Sequence, residues 1–300
     1  MVRLRSARPV TTTGESRGIV DSFEGRTAVV TGAASGIGRA LAQRAATEGM
    51  ALVLADIEEA PLVALGEELA AAGTDVVTHV TDVSDGDQVD ELGRVALEAF
   101  GAVHLVCNNA GVGGGGQIET LTTADWQWVL GVNLWGVIHG MRVFLPHLTA
   151  QDDGHVVNTA SIAGMLYAPF MGPYNASKAA VVAITETAFH ELRLQGSSVG
   201  VSVLCPSWVR TRIHESARNR PDELRNQPAA DEAPTDSAVA ELIGGFIAGG
   251  LAPEDVADQV FDAVRGRRLW VLTHPDSAEG VRTRTDAIVA GVDPPLLLPQ

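Results

Sequence analysis

The chain of 300 residues is 46% hydrophobic and contains 32 glycines, which fits a compact enzyme with a large core in one or two domains. Its formal net charge of -16 argues against a nucleic-acid partner or an anionic membrane surface. No apolar run reaches the ~18 residues of a membrane span. Cys107 and Cys205 both lie in apolar, strand-like runs, so we expect no disulfide and a reducing, cytoplasmic location.

The N-terminal residues 1–22 contain four arginines but no apolar segment, so they do not resemble a secretory signal. We expect a flexible tail here and a single domain over residues 23–275. Within that domain, an insert at residues 212–252 precedes the last helix. Because it leaves the end of a strand, we expect it to cover the pocket as a substrate lid. Residues 276–300 are expected to form a C-terminal tail.

Between these tails, apolar runs alternate with helical patterns. The predicted strands are Thr27–Thr31, Ala51–Ala55, Asp75–Val80, Val103–Cys107, Gly154–Ala160, Val199–Cys205 and Arg268–Thr273. The predicted helices are Ile37–Glu48, Glu58–Ala72, Asp85–Phe100, Thr122–Leu148 and Pro173–Gln195. Alternation of this kind, with nearly continuous Val, Leu and Ala strands, predicts an α/β fold of the Rossmann type. We therefore expect one doubly wound, parallel, seven-stranded sheet with helices on both faces.

Ligands of such sheets bind beyond the carboxyl ends of the strands. The first strand is followed by the turn Thr31–Gly38, which leads directly into a helix. Its glycines allow a tight turn and a close approach of the backbone to a pyrophosphate at the helix N-terminus. The spacing is G-x-x-x-G-x-G rather than G-x-G-x-x-G, so the turn alone is weak support for a nucleotide. The candidate residues are Gly32, Ser35, Gly36, Ile37 and Gly38.

Polar residues also follow the next three strands. Asp56 comes 24 residues after Gly32, where a carboxylate would bind the adenosine ribose and repel a 2′-phosphate. A helix N-cap is the alternative interpretation of this residue. Asp82 and Val83 are placed for the adenine. The turn after the fourth strand is placed to border the cofactor through Asn109, Ala110 and Gly111. Taken alone, either of the last two segments is a polar turn.

Lys178 is the only lysine among the 21 Lys and Arg residues. Tyr174 precedes it by four residues, so on a helix the two side chains share one face. An ammonium beside a phenol favours the phenolate and would lower the pKa of the tyrosine from about 10, which makes it a usable base. By itself the pair is more typical of an ordinary surface helix.

Together these motifs resemble the short-chain dehydrogenase/reductase family over residues 22–275. The resemblance rests on the TGxxxGIG turn, Asn108–Gly111 and the Tyr174-x-Ala-Ser-Lys178 motif. It implies a catalytic tetrad of Asn133, Ser161, Tyr174 and Lys178. Beyond the motif residues already described, it also implies cofactor contacts from Tyr174, Lys178, Pro206, Val209 and Thr211. In this chain Ser207-Trp208 replaces the usual Pro-Gly pattern, which puts the shape of the pocket mouth in doubt.

The physical roles agree with that resemblance. Ser161 can hold the substrate oxygen, and Tyr174 can exchange a proton with it while hydride moves to or from the nicotinamide. Asn133 could anchor a water leading to Lys178, or be a satisfied buried amide. Asp56 favours NAD over NADP, with Arg39 read as a helix-surface charge. His139 and His147 lack further ligands at plausible positions, so we expect no metal.

The substrate pocket offers almost no cation in the sequence, which disfavours phosphorylated substrates and favours a neutral, apolar or aromatic secondary alcohol or ketone of steroid, terpenoid or aryl type. Lining residues are expected to be Met165, Leu166, Tyr167, Phe170, Met171 and Trp208, with Gly113–Gly116 as the rim. Within the insert, Leu242, Ile243, Phe246 and Ile247 are candidates for substrate contact or for core packing.

The leading hypothesis is an NAD-dependent oxidoreductase that acts on CH–OH groups, in a homodimer or homotetramer. The excess apolar residues expected at the interface are Trp128, Val132, Trp135, Val181, Ile184, Phe189 and Leu192. A non-catalytic cofactor-binding scaffold on the same fold is the alternative, although no tetrad residue is lost. An epimerase or dehydratase of nucleotide sugars shares the Tyr-x-x-x-Lys pair, but would usually begin GxxGxxG.

Overall fold

The computed structural model describes residues 22–226 and 244–295. Its strands are β1 (Thr27–Thr31), β2 (Ala51–Asp56), β3 (Val76–Val80), β4 (Leu105–Asn108), β5 (His155–Thr159), β6 (Gly200–Cys205) and β7 (Trp270–Leu272). Its α-helices are α1 (Gly36–Thr47), α2 (Glu59–Ala71), α3 (Gly86–Phe100), α4 (Thr123–Leu130), α5 (Gly136–Gln151), α6 (Gly172–Gln195), α7 (Pro253–Arg265) and α8 (Ser277–Ala290). Short 3-10 helices cover Ile162–Gly164, Ile213–Asn219 and Asp222–Leu224.

The strands form one parallel sheet in the order β3-β2-β1-β4-β5-β6-β7, which confirms the predicted fold class. Val29 in β1 is in register with Val53 in β2 and with Val106 in β4. All three side chains are fully buried. Strands buried on both faces have no polar side to alternate with, which is why these segments read as continuous apolar runs.

Helices cover each face of the sheet. On one face, Leu41 of α1 and Phe261 of α7 belong to one core cluster, and Phe23 packs edge-on against Phe261 with ring centroids 5.0 Å apart. On the other face, Leu92 of α3, Phe144 of α5 and Val181 of α6 belong to a second cluster. The strand order changes direction between β1 and β4. A crevice between the two halves of the sheet therefore opens at this switch point, at the carboxyl ends of the strands.

The long helix predicted over Thr122–Leu148 is interrupted. Thr122 caps α4 through a capping box with Asp125, and residues Gly131–Trp135 form a π-helical turn before α5 continues to Gln151. Within the described residues, Thr123–Gln151 is the one stretch long and apolar enough to span a membrane by length and composition. In the fold it is a core helix, since Phe144 and Leu148 are buried against the sheet.

The C-terminal segment differs from the expected tail, and parts of the expected N-terminal tail and lid lie outside the described residues. Residues 277–290, assigned above to a C-terminal tail, form helix α8. The side chains of α8 are mostly exposed, so the sequence there has no apolar stripe that would signal a helix. Of the expected N-terminal tail, residues 1–21 lie outside the described residues, as do residues 227–243 of the predicted lid. Residues 244–248, within that insert, are helical.

The expected interface residues are partly covered by the chain itself. Trp128, Val181 and Leu192 are buried within this single chain, so they supply no excess apolar surface, and the expectation is corrected for these three. Val132, Ile184 and Phe189 are partly buried. Trp135 is 50% exposed and remains available to another copy.

Candidate active site

A cavity of about 1050 Å³ lies at the carboxyl edge of the sheet, over the switch between β1 and β4. Most of the predicted site residues line it. These are Gly32, Ser35, Gly36, Ile37, Asp56, Asp82, Val83, Asn109, Ala110, Gly111, Ser161, Tyr174, Lys178, Pro206, Val209 and Thr211. Gly38 and Asn133 do not line the cavity.

The glycine turn leaves an open cradle at the start of α1. Ser35 is the N-cap of α1 but makes no side-chain cap hydrogen bond, and the first turn carries no acidic residue. Gly36 has a φ of +53°, and a Cβ there would lie 2.9 Å from the Thr211 methyl group. A Cβ on Gly38 would overlap the carbonyl oxygen of Gly32. Uncapped amides at a helix N-terminus bind anions, so the cradle fits the pyrophosphate of a dinucleotide.

Asp56 is fixed at the end of β2 by backbone donors. The Ala34 amide donates to its Oδ2 at 2.9 Å, and the Glu58 amide donates to its Oδ1 at 3.0 Å. Burial raises the Asp56 pKa above its ordinary value, while the backbone hydrogen bonds from Glu58 and Ala34 oppose that rise. The carboxylate thus joins the glycine turn to β2, and its remaining lone pairs are free to accept ribose hydroxyls.

Short polar networks hold the loops that follow β3 and β4. Ser84 donates to Asp82 Oδ1 from both its amide, at 2.9 Å, and its hydroxyl, at 2.7 Å. The Asn109 side-chain amide donates to the Thr31 carbonyl at 3.0 Å, and the Asn109 side-chain oxygen accepts from the Thr159 hydroxyl at 3.2 Å. Asn109 therefore ties the end of β1 to the end of β5 beneath the cavity.

Lys178 is held in the interior of the site. Its side chain is 2% exposed, and its ammonium donates to the Thr159 carbonyl at 2.9 Å. The Nζ atom lies 5.6 Å from the centroid of the Tyr174 ring. Burial lowers the pKa of Lys178 to about 8, so the side chain is still mostly charged at pH 7. The helix α6 thus presents both side chains on one face, as their spacing predicts.

The Tyr174 phenol departs from one expectation. We expected Lys178 to lower its pKa, but burial raises the Tyr174 pKa above 10, and interaction with the Ser161 side chain opposes this only in part. The reason is that loss of water around the phenol disfavours the phenolate. The Tyr174 phenol is therefore neutral at pH 7.

Ser161 and Asn133 are both anchored. Ser161 follows β5 and caps the short 3-10 helix, where its hydroxyl accepts from the Ala163 amide at 3.1 Å and donates to the Pro206 carbonyl at 3.3 Å. Asn133 is fully buried in the π-helical turn and bonds both backbone groups of Val112, accepting from its amide at 2.8 Å and donating to its carbonyl at 2.9 Å. Asn133 therefore fixes the chain just before the glycine rim.

Part of the insert expected above to cover the pocket bridges the cavity, although sequence reasoning did not foresee which of its residues make the contacts. Ile213–Asn219, termed the cross-cleft segment, brings Arg218 and Asn219 to the carboxylate of Glu58. Arg212 and Arg218 line the cavity, which corrects the expectation of almost no cation there. Both are ion-paired, Arg212 with Glu215 and Arg218 with Glu58. Arg39 pairs with Glu68 on the surface, in line with its interpretation as a helix-surface charge.

The substrate side of the cavity is lined by Leu166, Phe170, Met171, Trp208 and Ile247, together with Gly113–Gly116. Trp208 stacks on Phe246 with ring centroids 5.3 Å apart. Met165 packs against the core instead, and Tyr167 lies under the Arg284 guanidinium of α8, so neither lines the cavity. Leu242 and Ile243 lie outside the described residues.

The segment after β7 also reaches this side of the cavity, through His274, Asp276 and Ser277. The Ser207 amide donates to His274 Nδ1 at 3.4 Å. Ser207, which belongs to the sequence that replaces the usual Pro-Gly pattern, therefore contacts this segment. The described residues hold no group of three or more His, Cys, Asp or Glu side chains placed for a metal ion. His139 packs against Trp135, with ring centroids 5.6 Å apart.

Comparison with known proteins finds one family. The short chain dehydrogenase profile matches residues 26–222. A CLA biosynthesis dehydrogenase/reductase of Lactiplantibacillus plantarum is 32% identical over 276 residues, covering 89% of this chain and 94% of the relative. A 1-deoxy-11-beta-hydroxypentalenate dehydrogenase of Streptomyces avermitilis is 35% identical over 256 residues, covering 84% of this chain and 85% of the relative.

A solved structure gives the same result. A short chain dehydrogenase/reductase of Burkholderia phymatum, in complex with NAD, is 47% identical with a TM-score of 0.90, covering 93% of this chain and 99% of that one. The shared fold, the matched profile and the extent of identity lead to one conclusion. This chain belongs to the short-chain dehydrogenase/reductase family of oxidoreductases.

Proposed function

We propose that the protein is an NAD-dependent oxidoreductase that interconverts a secondary alcohol and its ketone, with Tyr174 as general acid and base. The observation that carries the proposal is the convergence of Ser161, Tyr174 and Lys178 on one cavity whose other end is the glycine cradle. Nothing in a cofactor-binding scaffold would require a buried ammonium beside a cavity-lining phenol, because burying a charge is costly.

The residues present fit NAD. The uncapped N-terminus of α1 would hold the pyrophosphate, and Asp56 would accept hydrogen bonds from the adenosine ribose. A 2′-phosphate would meet the Asp56 carboxylate, and the nearby Arg218 is already paired with Glu58. The Burkholderia phymatum relative binds NAD, which supports the same choice for this chain. We place Asp82 and Val83 at the adenine and Thr211, Pro206 and Val209 at the nicotinamide.

When bound, NAD supplies the acceptor for the hydride that leaves the carbinol carbon. Ser161 would hydrogen-bond the substrate oxygen. In reduction, Tyr174 donates its phenolic proton to that oxygen. In oxidation, Tyr174 acts as the phenolate and takes the hydroxyl proton as the C=O bond forms. Lys178 would bind the nicotinamide ribose hydroxyls and favour the phenolate when the proton leaves. Asn133 would keep the backbone at Val112 in place beside the catalytic side chains.

The substrate we propose is neutral and apolar or aromatic, of the steroid, terpenoid or aryl alcohol class. Leu166, Phe170, Met171 and Trp208 supply an apolar wall, and the two cavity arginines, Arg212 and Arg218, are paired with carboxylates. The Streptomyces avermitilis relative is by its name a dehydrogenase of a hydroxylated carboxylate, which supports oxidation of a hydroxyl group but not the absence of charge on the substrate. We further propose that the enzyme is cytoplasmic, consistent with two buried free cysteines, and that it assembles as a homodimer or homotetramer.

The proposal is tested by a panel of secondary alcohols with NAD. Purified protein is incubated with 1-phenylethanol, menthol, a 3-hydroxysteroid and isopropanol, and NADH formation is followed by its fluorescence. We expect oxidation of the larger apolar alcohols and little of isopropanol. Failure of the protein to bind NADH in a titration would contradict the proposed cofactor. Binding of NADH without oxidation of any alcohol, or reduction of any matching ketone, would favour the non-catalytic scaffold.

A further inference from the structure

The cross-cleft segment spans the cofactor site. It begins after β6 and contacts the loop after β4, where the Gly113 amide donates to Ser216 Oγ at 2.9 Å. Its far end contacts Glu58, which follows β2. In the sheet order, β5, β4 and β1 lie between β6 and β2. The segment therefore passes over the switch between β1 and β4, where the dinucleotide would lie.

Glu58 makes the contacts at the far end. Asn219 Nδ2 donates to Glu58 Oε1 at 2.7 Å, and the Arg218 guanidinium donates to the same oxygen, from Nε at 2.8 Å and from Nη2 at 2.6 Å. The Glu58 side chain is 21% exposed and that of Arg218 28%, so the pair is more shielded than an ordinary surface ion pair. Arg218 also donates to the Arg212 carbonyl at 3.3 Å, which binds the guanidinium to its own segment.

Hydrogen bonds and nearby arginines keep the Glu58 carboxylate ionised. Burial acts to raise its pKa, but the hydrogen bonds from Asn219 and Arg218 and the charges of Arg218 and Arg212 hold the pKa below its ordinary value. The carboxylate is therefore ionised at neutral pH. Glu58 lies two residues from Asp56 and its amide donates to that carboxylate at 3.0 Å. One short stretch of chain thus contacts both the expected ribose site and the segment above it.

We propose that Glu58 is a positioning residue that clamps the cross-cleft segment over the cofactor, so that breaking its contacts with Arg218 and Asn219 controls how fast NAD(H) leaves. The inference rests on the proposed cofactor site. The segment also contributes Ile213 and Ala217 to the cavity wall, so closing the clamp completes the pocket as well. Release of the reduced or oxidised dinucleotide then requires that the segment lift from Glu58.

The test compares Glu58→Ala, Glu58→Gln and a control, Arg94→Ala. Arg94 pairs with Glu91 and Glu98 on the surface of α3, so its loss removes ion pairs away from the cavity. NADH is mixed with each protein, and its dissociation rate is measured by stopped-flow fluorescence. We expect Glu58→Ala to release NADH about tenfold faster or more, because at least two charge-assisted hydrogen bonds are lost. The NADH dissociation rate of Glu58→Gln should lie between those of wild type and Glu58→Ala, since the glutamine amide keeps one acceptor oxygen.

A second readout needs no cofactor. Arg212, Arg218 and Arg225 are trypsin sites in and beside the segment, whereas the bond after Arg220 leads into Pro221 and resists trypsin. We expect limited trypsin digestion to cut Glu58→Ala here several-fold faster than wild type, while Arg94→Ala is cut at the wild-type rate. A variant that is merely misfolded would instead show lower thermal stability and cleavage throughout.

The outcomes separate the two proposals. Wild-type protein that binds no NADH contradicts the proposed cofactor site and removes the basis of the clamp. Wild-type protein that binds NADH, with equal dissociation and trypsin rates in Glu58→Ala, overturns the clamp and leaves the proposed function standing. Faster NADH release from Glu58→Ala, with kcat maintained or raised, supports the clamp, because product release limits turnover in many enzymes.

Discussion

Replacing Lys178 by methionine should stabilise the fold while abolishing activity. The ammonium is buried, and burial lowers its pKa from 10.5 to about 8. That difference corresponds to about 3 kcal/mol, at roughly 1.4 kcal/mol per pH unit, by which the charged native state is disfavoured relative to the unfolded chain. Methionine also removes the hydrogen bond to the Thr159 carbonyl, which costs the variant about 1–2 kcal/mol of stability and offsets part of that gain. We expect a net gain in unfolding free energy of about 1–2 kcal/mol at pH 7.

The pH dependence identifies the cause. Because the folded pKa is below the unfolded one, the unfolded chain binds more protons between about pH 8 and pH 10.5. Wild-type stability relative to Lys178→Met should therefore be constant below pH 8 and rise above it. Urea unfolding of both proteins, without cofactor and at equal concentration from about pH 7 to 9.5, measures this difference. A difference that does not change with pH would refute the reasoning, since Tyr174 and all other groups are common to both proteins.

Three further predictions concern the cofactor, the glycine turn and assembly. Asp56→Ala should narrow the preference for NAD over NADP by about 100-fold in dissociation constants, through lost ribose hydrogen bonds and lost repulsion; a wild type that prefers NADP would contradict this. Gly38→Ala should lower the melting temperature and weaken NADH binding, because its Cβ overlaps the Gly32 carbonyl, whereas Gly245→Ala, with open space around it, should do neither. Trp135→Glu should reduce the oligomer seen by light scattering, and a monomeric wild type at micromolar concentration would count against assembly through this surface.

Much of the fold was predictable because its parallel strands are buried on both faces. β1 is found at the predicted residues Thr27–Thr31, and β2 extends its prediction by one residue to Asp56. These segments need only local apolar character, which the sequence carries directly. Helix α8 was missed because only Ser277 and Ala287 of its residues are buried, so no apolar stripe marks it.

The parts of the site that escaped prediction depend on contacts distant in sequence. Glu58 and Arg218 are 160 residues apart, and each alone reads as an ordinary surface charge. The raised pKa of Tyr174 could not be read from its spacing to Lys178, because the spacing gives proximity but not the loss of water around the phenol. The glycine turn, Asp56, Asp82 and Asn109 were predictable since each follows a strand at the same edge of the sheet. Tyr174 and Lys178 were predictable from their helical spacing.

The central claim is that Tyr174 transfers the proton and Lys178 acts on both the phenol and the cofactor. Its most direct test is the turnover of Tyr174→Phe with NAD and the best alcohol of the panel, beside the NADH dissociation constant of the same protein. We expect kcat to fall by about 1000-fold or more, with NADH binding nearly unchanged, because the phenol acts on the substrate. Lys178→Arg should lose most activity and also bind NADH more weakly, since a planar guanidinium does not replace a compact ammonium. Near wild-type turnover in Tyr174→Phe would contradict the account.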